Sequence, residues 1–112
     1  MNKSDVIGIF GSNQVAAEGI LSADANLNKL GTEAGKNILA AGFDAGTVIK
    51  TAIKDGKMFG AVTQSPLAMG KTTVETLVKI ANGETVSDIA TDGYWYDSSN
   101  MDAPDIAPNL YD

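Results

Sequence analysis

Three times along the chain an apolar run ends in one polar side chain. Val6 to Phe10 leads through Gly11 and Ser12 to Asn13, Ile38 to Phe43 ends at Asp44, and Met58 to Thr63 ends at Gln64. Continuous rather than alternating apolar runs of this length are what a strand covered on both faces looks like. After each, the period changes to that of a helix. From Gln14, the residues Ala16, Ile20, Ala23, Leu27 and Leu30 recur at steps of three and four, which predicts one buried stripe, stopped at Gly31. Ser12 or Asn13 is placed to cap it, because a short polar side chain accepts the free N–H groups of a first turn. Gly31 to Asn37 reads as a polar connection. Thr47 opens a short helix with Val48, Ile49, Ala52 and Ile53, closed by Lys54-Asp55-Gly56, where Gly56 suits a left-handed conformation. Pro66 takes the first position of a third helix, where its missing N–H costs nothing. That helix runs from about Leu67 to Ala81, with Gly70, Val74, Leu77 and Ala81 on one face and Asn82-Gly83 closing it.

Thr85 to Ala90 leads into an extended aromatic segment, Thr91 to Tyr96, with Tyr94 and Tyr96 on one face and Trp95 on the other. The remainder is polar and acidic, with Pro104 and Pro108; it predicts a surface-hugging tail with one short helical turn near Asp105 to Leu110. The chain therefore divides into an α/β lobe over residues 1–96 and an acidic C-terminal tail over residues 97–112. Repeated strand–polar end–helix units predict an α/β fold with a parallel, doubly wound sheet, helices on both faces and right-handed crossovers. Strand order stays open. In such a sheet the strand ends share one edge, the place where ligands bind.

With 112 residues the chain has room for one domain and one core, yet it is short for a sheet covered on both faces, so an incomplete unit is expected. Eight basic against 14 acidic residues give a net charge of −6, which favours neither nucleic acid nor an anionic membrane. There is no arginine, and with it no bidentate guanidinium recognition of phosphate or carboxylate. Cysteine is absent, which removes disulfides, thiolate catalysis and cysteine-held zinc; histidine is absent, which removes imidazole bases, the Ser-His-Asp arrangement and most zinc sites. No apolar run reaches the roughly 18 residues of a membrane-spanning helix. Met1 to Asp5 does not read as a signal peptide, so the stretch is either cytosolic or an excerpt of a longer chain.

Catalytic, metal and cofactor sites are not expected. Gly70-Lys71-Thr72 matches the end of a phosphate-binding loop, but that motif needs glycine where Ser65 stands, and Pro66 lacks the N–H the loop would use. Gly42 to Gly46 lacks the dinucleotide-binding spacing. Asp97, Asn100, Asp102 and Asp105 lack the alternation, central glycine and closing glutamate of a calcium loop. What remains is the set of strand ends. Asn13 and Gln64 each donate and accept, and Asp44 accepts. Such a set suits the hydroxyls of a neutral polyol or sugar and repels a phosphate at Asp44. The plainer alternative is that each group caps its helix or ties down a loop, and Asn13, just before a helix, invites it most.

The ordered set Ile9-Phe-Gly-Ser-Asn13, Ala41-Gly-Phe-Asp-Ala45, Ala52-Ile-Lys-Asp-Gly56-Lys and Val62-Thr-Gln-Ser-Pro66, followed by Met69-Gly70, resembles the ribose-type periplasmic sugar-binding proteins of ABC importers, with the type I periplasmic binding protein fold. The resemblance spans nearly all of the chain and corresponds to the C-terminal lobe from its second strand onward. It implies sugar binding by Asn13, Asp44 and Gln64 as one half of a cleft. It implies capture of a monosaccharide for import without chemistry on the substrate, an N-terminal lobe as the other half, and an ABC permease as partner. It implies a periplasmic location, or an extracellular one as a membrane-anchored lipoprotein, whose endings Tyr94 to Asp97 and the acidic tail resemble. Gln14 departs from the pattern, which has an acidic residue there, and the connection Gly31 to Asn37 is slightly longer than usual. The first strand–helix unit of the lobe is lacking. On this resemblance its strand lies between Val6–Phe10 and Ile38–Phe43, leaving a gap to be closed by rearrangement or by homo-oligomers paired through exposed sheet edges. An effector-sensing lobe of a LacI-type transcription regulator shares the fold and is the alternative. A free-standing flavodoxin-like or receiver-like domain fits less well, because a receiver needs an acidic cluster and only Asp44 is offered.

Overall fold

The structure, a computed structural model, describes residues 5–111; the opening residues before Asp5 and the tail's last residue, Asp112, lie outside the described residues. The elements are β1 (Gly8–Phe10), α1 (Gln14–Asp24), β2 (Leu30–Gly31), β3 (Ile38–Phe43), α2 (Thr47–Lys54), β4 (Gly60–Gln64), α3 (Pro66–Ala81) and β5 (Gly93–Tyr96), with a 3-10 turn at Ala107–Asn109. The main sheet order is β1-β3-β4-β5. β1, β3 and β4 run parallel, in the registers Ile9 to Ala40 and Gly42 to Ala61. Helices flank both faces of this α/β sheet.

The sheet is mixed, which corrects the expectation of a parallel one: β5 runs antiparallel to β4, with Tyr96 opposite Ala61 and Gly93 opposite Gln64. The reason lies in the connection. The irregular stretch after α3 runs back beside the helix, where Val86 to Ile89 and Thr91 form a groove with Met69, Thr72 and Thr76. It returns the chain to the end where β4 stopped, and Ser65 Oγ donates to Asp92 O at 3.2 Å. A strand starting there can only run back down the sheet.

The gap expected between the first two long strands is closed within the chain. β1 pairs with β3 directly; Leu39 N–H donates to Ile7 O at 3.0 Å and Gly11 N–H to Ala41 O at 2.9 Å. No strand lies between them, and β1 is the sheet's outer strand.

α1 is shorter than its periodicity predicts. The helix stops at Asp24, whose buried carboxylate accepts the N–H groups of Lys29 at 2.7 Å and Leu30 at 3.2 Å through Oδ1. Its carbonyl takes those of Leu27 and Asn28, both at 2.9 Å. An aspartate that satisfies the next turn in this way competes with the helix ladder. Leu30 is released to form β2 beside Ile38. The buried stripe of α1 is Ala17, Ile20 and Asp24, not Ala16 and Ala23.

The core gathers Ala17, Ile20, Ala40, Ile49, Ile53, Met58 and Ala61 between the sheet and the α1–α2 pair. Met101 and Ile106, from the segment after β5, are buried in the same cluster. α3 contrasts with this. Pro66 does begin it and Gly70 to Thr72 lie within it, which removes the phosphate-loop geometry, but none of its residues is buried. The face that carries Val74 and Leu77 is open, with these residues 61% and 58% exposed.

Candidate functional site

Parallel pairing carries the C-terminal ends of β1, β3 and β4 to one edge of the sheet. Gly11, Ser12 and Asn13 follow β1. Asn13 is extended (φ −157°, ψ 173°), and its Oδ1 accepts the N–H of Ala16 at 2.8 Å, so the side chain caps α1. Asp44 follows β3 with φ +74°, in the left-handed region that aspartate tolerates better than most residues. Its own N–H donates to Val62 O at 2.8 Å, which fixes the turn against β4.

The half-buried carboxylate of Asp44 is where the elements meet. Oδ1 accepts from Gln64 Nε2 at 2.8 Å and from the Tyr111 hydroxyl at 3.0 Å, and Oδ2 accepts the N–H of Gln14 at 3.2 Å. Its carbonyl oxygen accepts from the Tyr96 hydroxyl at 2.8 Å. One residue thus links the start of α1, the ends of β3 and β4, the end of β5 and the C-terminal segment. Both phenols are pushed above their usual range. For Tyr96 the causes are burial first, then the neighbouring Tyr111 and the charge of Asp44. For Tyr111 they are burial first, then the hydrogen bond to Asp44 and its charge. Both are hydrogen-bond donors at neutral pH.

Of the sequence-predicted residues, Asp44 and Gln64 touch directly, and Asn13 joins them through Gln14, its neighbour in the chain. The side-chain oxygen of Asn13 does the capping that the sequence also offered. Three further residues belong to this edge. Gln14 supplies a backbone donor to Asp44, and its side chain donates to Glu18 Oε1 at 2.9 Å and lies where a Cβ on Gly46 would stand. Tyr96 and Tyr111 supply the phenols. The one signal in the sequence was Gln14's departure from an acidic residue; nothing local announces Tyr111, which lies 67 positions from Asp44.

Among the described residues no group of three acidic, histidine or cysteine side chains is arranged to hold a metal. One carboxylate among neutral donors and acceptors can receive and orient hydroxyl groups. A groove of about 440 Å³ runs between the C-terminal half of α1 and α2, lined by Leu21, Asp24, Thr47, Thr51 and Lys57.

Comparison with known proteins places these features in a family. Residues 1–85 match the family described as "Periplasmic binding protein domain". No curated protein sequence matches. Among solved structures, an ABC transporter, LacI family transcriptional regulator from Brachyspira murdochii superposes with a TM-score of 0.83 at 38% identity, covering 95% of this chain and 35% of that one. An ABC transporter solute-binding protein from Agrobacterium vitis with bound D-fucose gives a TM-score of 0.81 at 32% identity, covering 93% and 34%. A carbohydrate transporter solute-binding protein from Agrobacterium radiobacter in complex with D-arabinose gives 0.80 at 26% identity, covering 94% and 34%. The chain spans about a third of the length of each of these structures.

Proposed function

Because the chain belongs to the periplasmic binding protein domain family, we propose that its strand-end edge is one half of a cleft that captures a neutral monosaccharide for ABC import. The domain is a non-catalytic, solute-binding one. The observation that carries the reading is the convergence of Asn13, Asp44 and Gln64 on one edge, with Asp44 and Gln64 bonded at 2.8 Å. A carboxylate beside a carboxamide receives and donates hydrogen bonds to hydroxyls while carrying no positive charge for an anion. The D-fucose and D-arabinose bound by the two solute-binding relatives are ligands of that kind. In this reading the chain corresponds to a C-terminal lobe of the ribose-type arrangement. Its partners are a companion lobe that closes over the sugar and a membrane permease that receives the closed form, in a periplasmic or lipoprotein-anchored protein. Among the described residues no helix is long and apolar enough to cross a membrane.

A half-site binds weakly, at about millimolar affinity, which is roughly 4 kcal/mol. Thermal unfolding with a panel of monosaccharides that includes D-fucose and D-arabinose tests the reading. At about tenfold excess over Kd a bound sugar raises the melting temperature by roughly 5 to 10 °C. Asp44→Asn, which keeps the side chain's shape and removes its charge, reduces the rise. A cooperative transition that no sugar moves, at concentrations well above millimolar, overturns the reading of this edge as a usable half-site.

The second reading is the effector-sensing lobe of a LacI-type regulator, favoured by the naming of the 38% identical structure. A DNA-binding helix-turn-helix encoded upstream of this lobe would select it, and a signal peptide with a lipidation cysteine would select the importer.

A further inference from the structure

We propose that Tyr111 acts as an internal ligand of Asp44 and sets the affinity of the strand-end half-site, its phenolic hydroxyl holding an acceptor that a ligand hydroxyl has to take. This rests on the reading of the edge as half of a sugar cleft.

Three donors reach the Asp44 carboxylate, and they are not held alike. The N–H of Gln14 belongs to the first residue of α1, and the carboxamide of Gln64 extends from the last residue of β4. The N–H of Gln14 cannot leave without unwinding the first turn of α1, whereas the Gln64 and Tyr111 donors sit on side chains that can rotate away. Tyr111 arrives at the end of the C-terminal segment. That segment is tied to the strand ends by Thr63 Oγ1, which donates to Asn109 O at 2.7 Å, while Ala107 and Pro108 are exposed. Tyr111 packs against the core beside Leu110 but belongs to no strand or helix, so its phenol can turn from Asp44 while the sheet stays intact.

The acceptor count makes the competition specific. A carboxylate offers about four lone-pair directions. Oδ1 already receives both Gln64 and Tyr111, and Oδ2 receives Gln14 at 3.2 Å. One direction is left, so a ligand that presents two neighbouring hydroxyls to Asp44, as a sugar ring does, must displace a side-chain donor, and Tyr111 is the one that is itself a hydroxyl. The replacement is chemically even, one hydroxyl donor for another. Burial and the Asp44 charge both keep the phenol protonated, so it competes across the neutral range.

The test titrates the full chain and its Tyr111→Phe variant with D-fucose and with D-arabinose, following protein NMR shifts. Removing the hydroxyl and keeping the ring is expected to tighten binding about fivefold, the net worth of one hydrogen bond. A purely structural role for Tyr111 lowers the melting temperature without tightening any ligand. If the phenylalanine variant does not fold, a chain ending at Asn109 removes the same hydroxyl and keeps the Thr63 contact. Equal or weaker binding by the variant, with the unaltered chain binding, overturns the inference and leaves the sugar reading standing. Absence of binding by both chains overturns the two together.

Discussion

Asp24 and Asp44 show how one carboxylate decides local structure in two ways. Asp24 is 5% exposed and spends Oδ1 on two backbone N–H groups, so it ends a helix that the apolar periodicity would carry on to Leu30. Asp24→Ala leaves those N–H groups without their acceptor and is expected to cost about 1–3 kcal/mol. Asp24→Asn retains the Oδ1 acceptor and is expected to cost less; thermal melts of the two variants make the comparison, and equal losses would show that the acceptor is not what matters. Asp44 gathers phenols instead, and this gives stability a pH dependence. Tyr96 and Tyr111 hold their protons more tightly folded than unfolded. The unfolded chain starts to lose phenolic protons near pH 10. Above about that pH the folded state binds more protons than the unfolded one, so stability falls as pH rises and is fully present below it. The urea midpoint is therefore expected to drop in the alkaline range, with a shallower drop for Tyr96→Phe. A midpoint that stays level into the alkaline range would contradict the assignment.

At the scale of elements, what was legible in the sequence and what was not divide along a physical line. The strand–polar end–helix units could be read because burial on both faces leaves an uninterrupted apolar run, and because the polar residue that follows is local. The strand-end positions of Asp44 and Gln64 were legible for the same reason, and Gly56 and Gly83 take the positive φ their positions suggest. Periodicity reports an apolar face and says nothing of whether a partner covers it; the face of α3 that carries Val74 and Leu77 is open. The direction of β5 depends on how far the chain travels after α3, and Tyr111 reaches Asp44 through tertiary folding alone; neither has a local signal. Gly60 shows the packing behind the β4–β5 pair. A Cβ there would collide with the Trp95 ring and stand 2.7 Å from Tyr96 O, a backbone atom that cannot move aside cheaply. Gly60→Ala is expected to lose about 1–3 kcal/mol by overpacking. Gly70→Ala, in the middle of α3 with open space around it, is expected to gain about 0.5–1 kcal/mol. Chemical denaturation of both variants checks the contrast, and a neutral Gly60→Ala would mean that β5 is not held where the structure has it.

For the whole molecule, the question is what the uncovered apolar surface does. β1 forms one edge of the sheet, and Phe10, at its end, is 58% exposed; Phe59 and Trp95 stand with ring centroids 6.0 Å apart and are also exposed. The apolar residues of α3, from Leu67 to Ile80, add a second uncovered surface. Monomeric proteins seldom leave continuous apolar surface of this kind in water, and an unpaired outer strand offers its backbone to another chain. The 112-residue chain by itself is therefore expected to self-associate as its concentration rises, which sedimentation equilibrium measures directly. Phe10→Lys places a charge on the exposed edge at little cost to the core and is expected to shift the equilibrium towards monomer, while leaving the unfolding transition cooperative. The two observations separate the possible causes. If the variant is monomeric and the parent is not, the β1 edge carries the association. If both associate equally, the α3 surface is the better candidate, and Leu77→Lys becomes the informative change. A parent chain that stays monomeric at high concentration would mean that the fold tolerates its open apolar faces without a second copy to cover them.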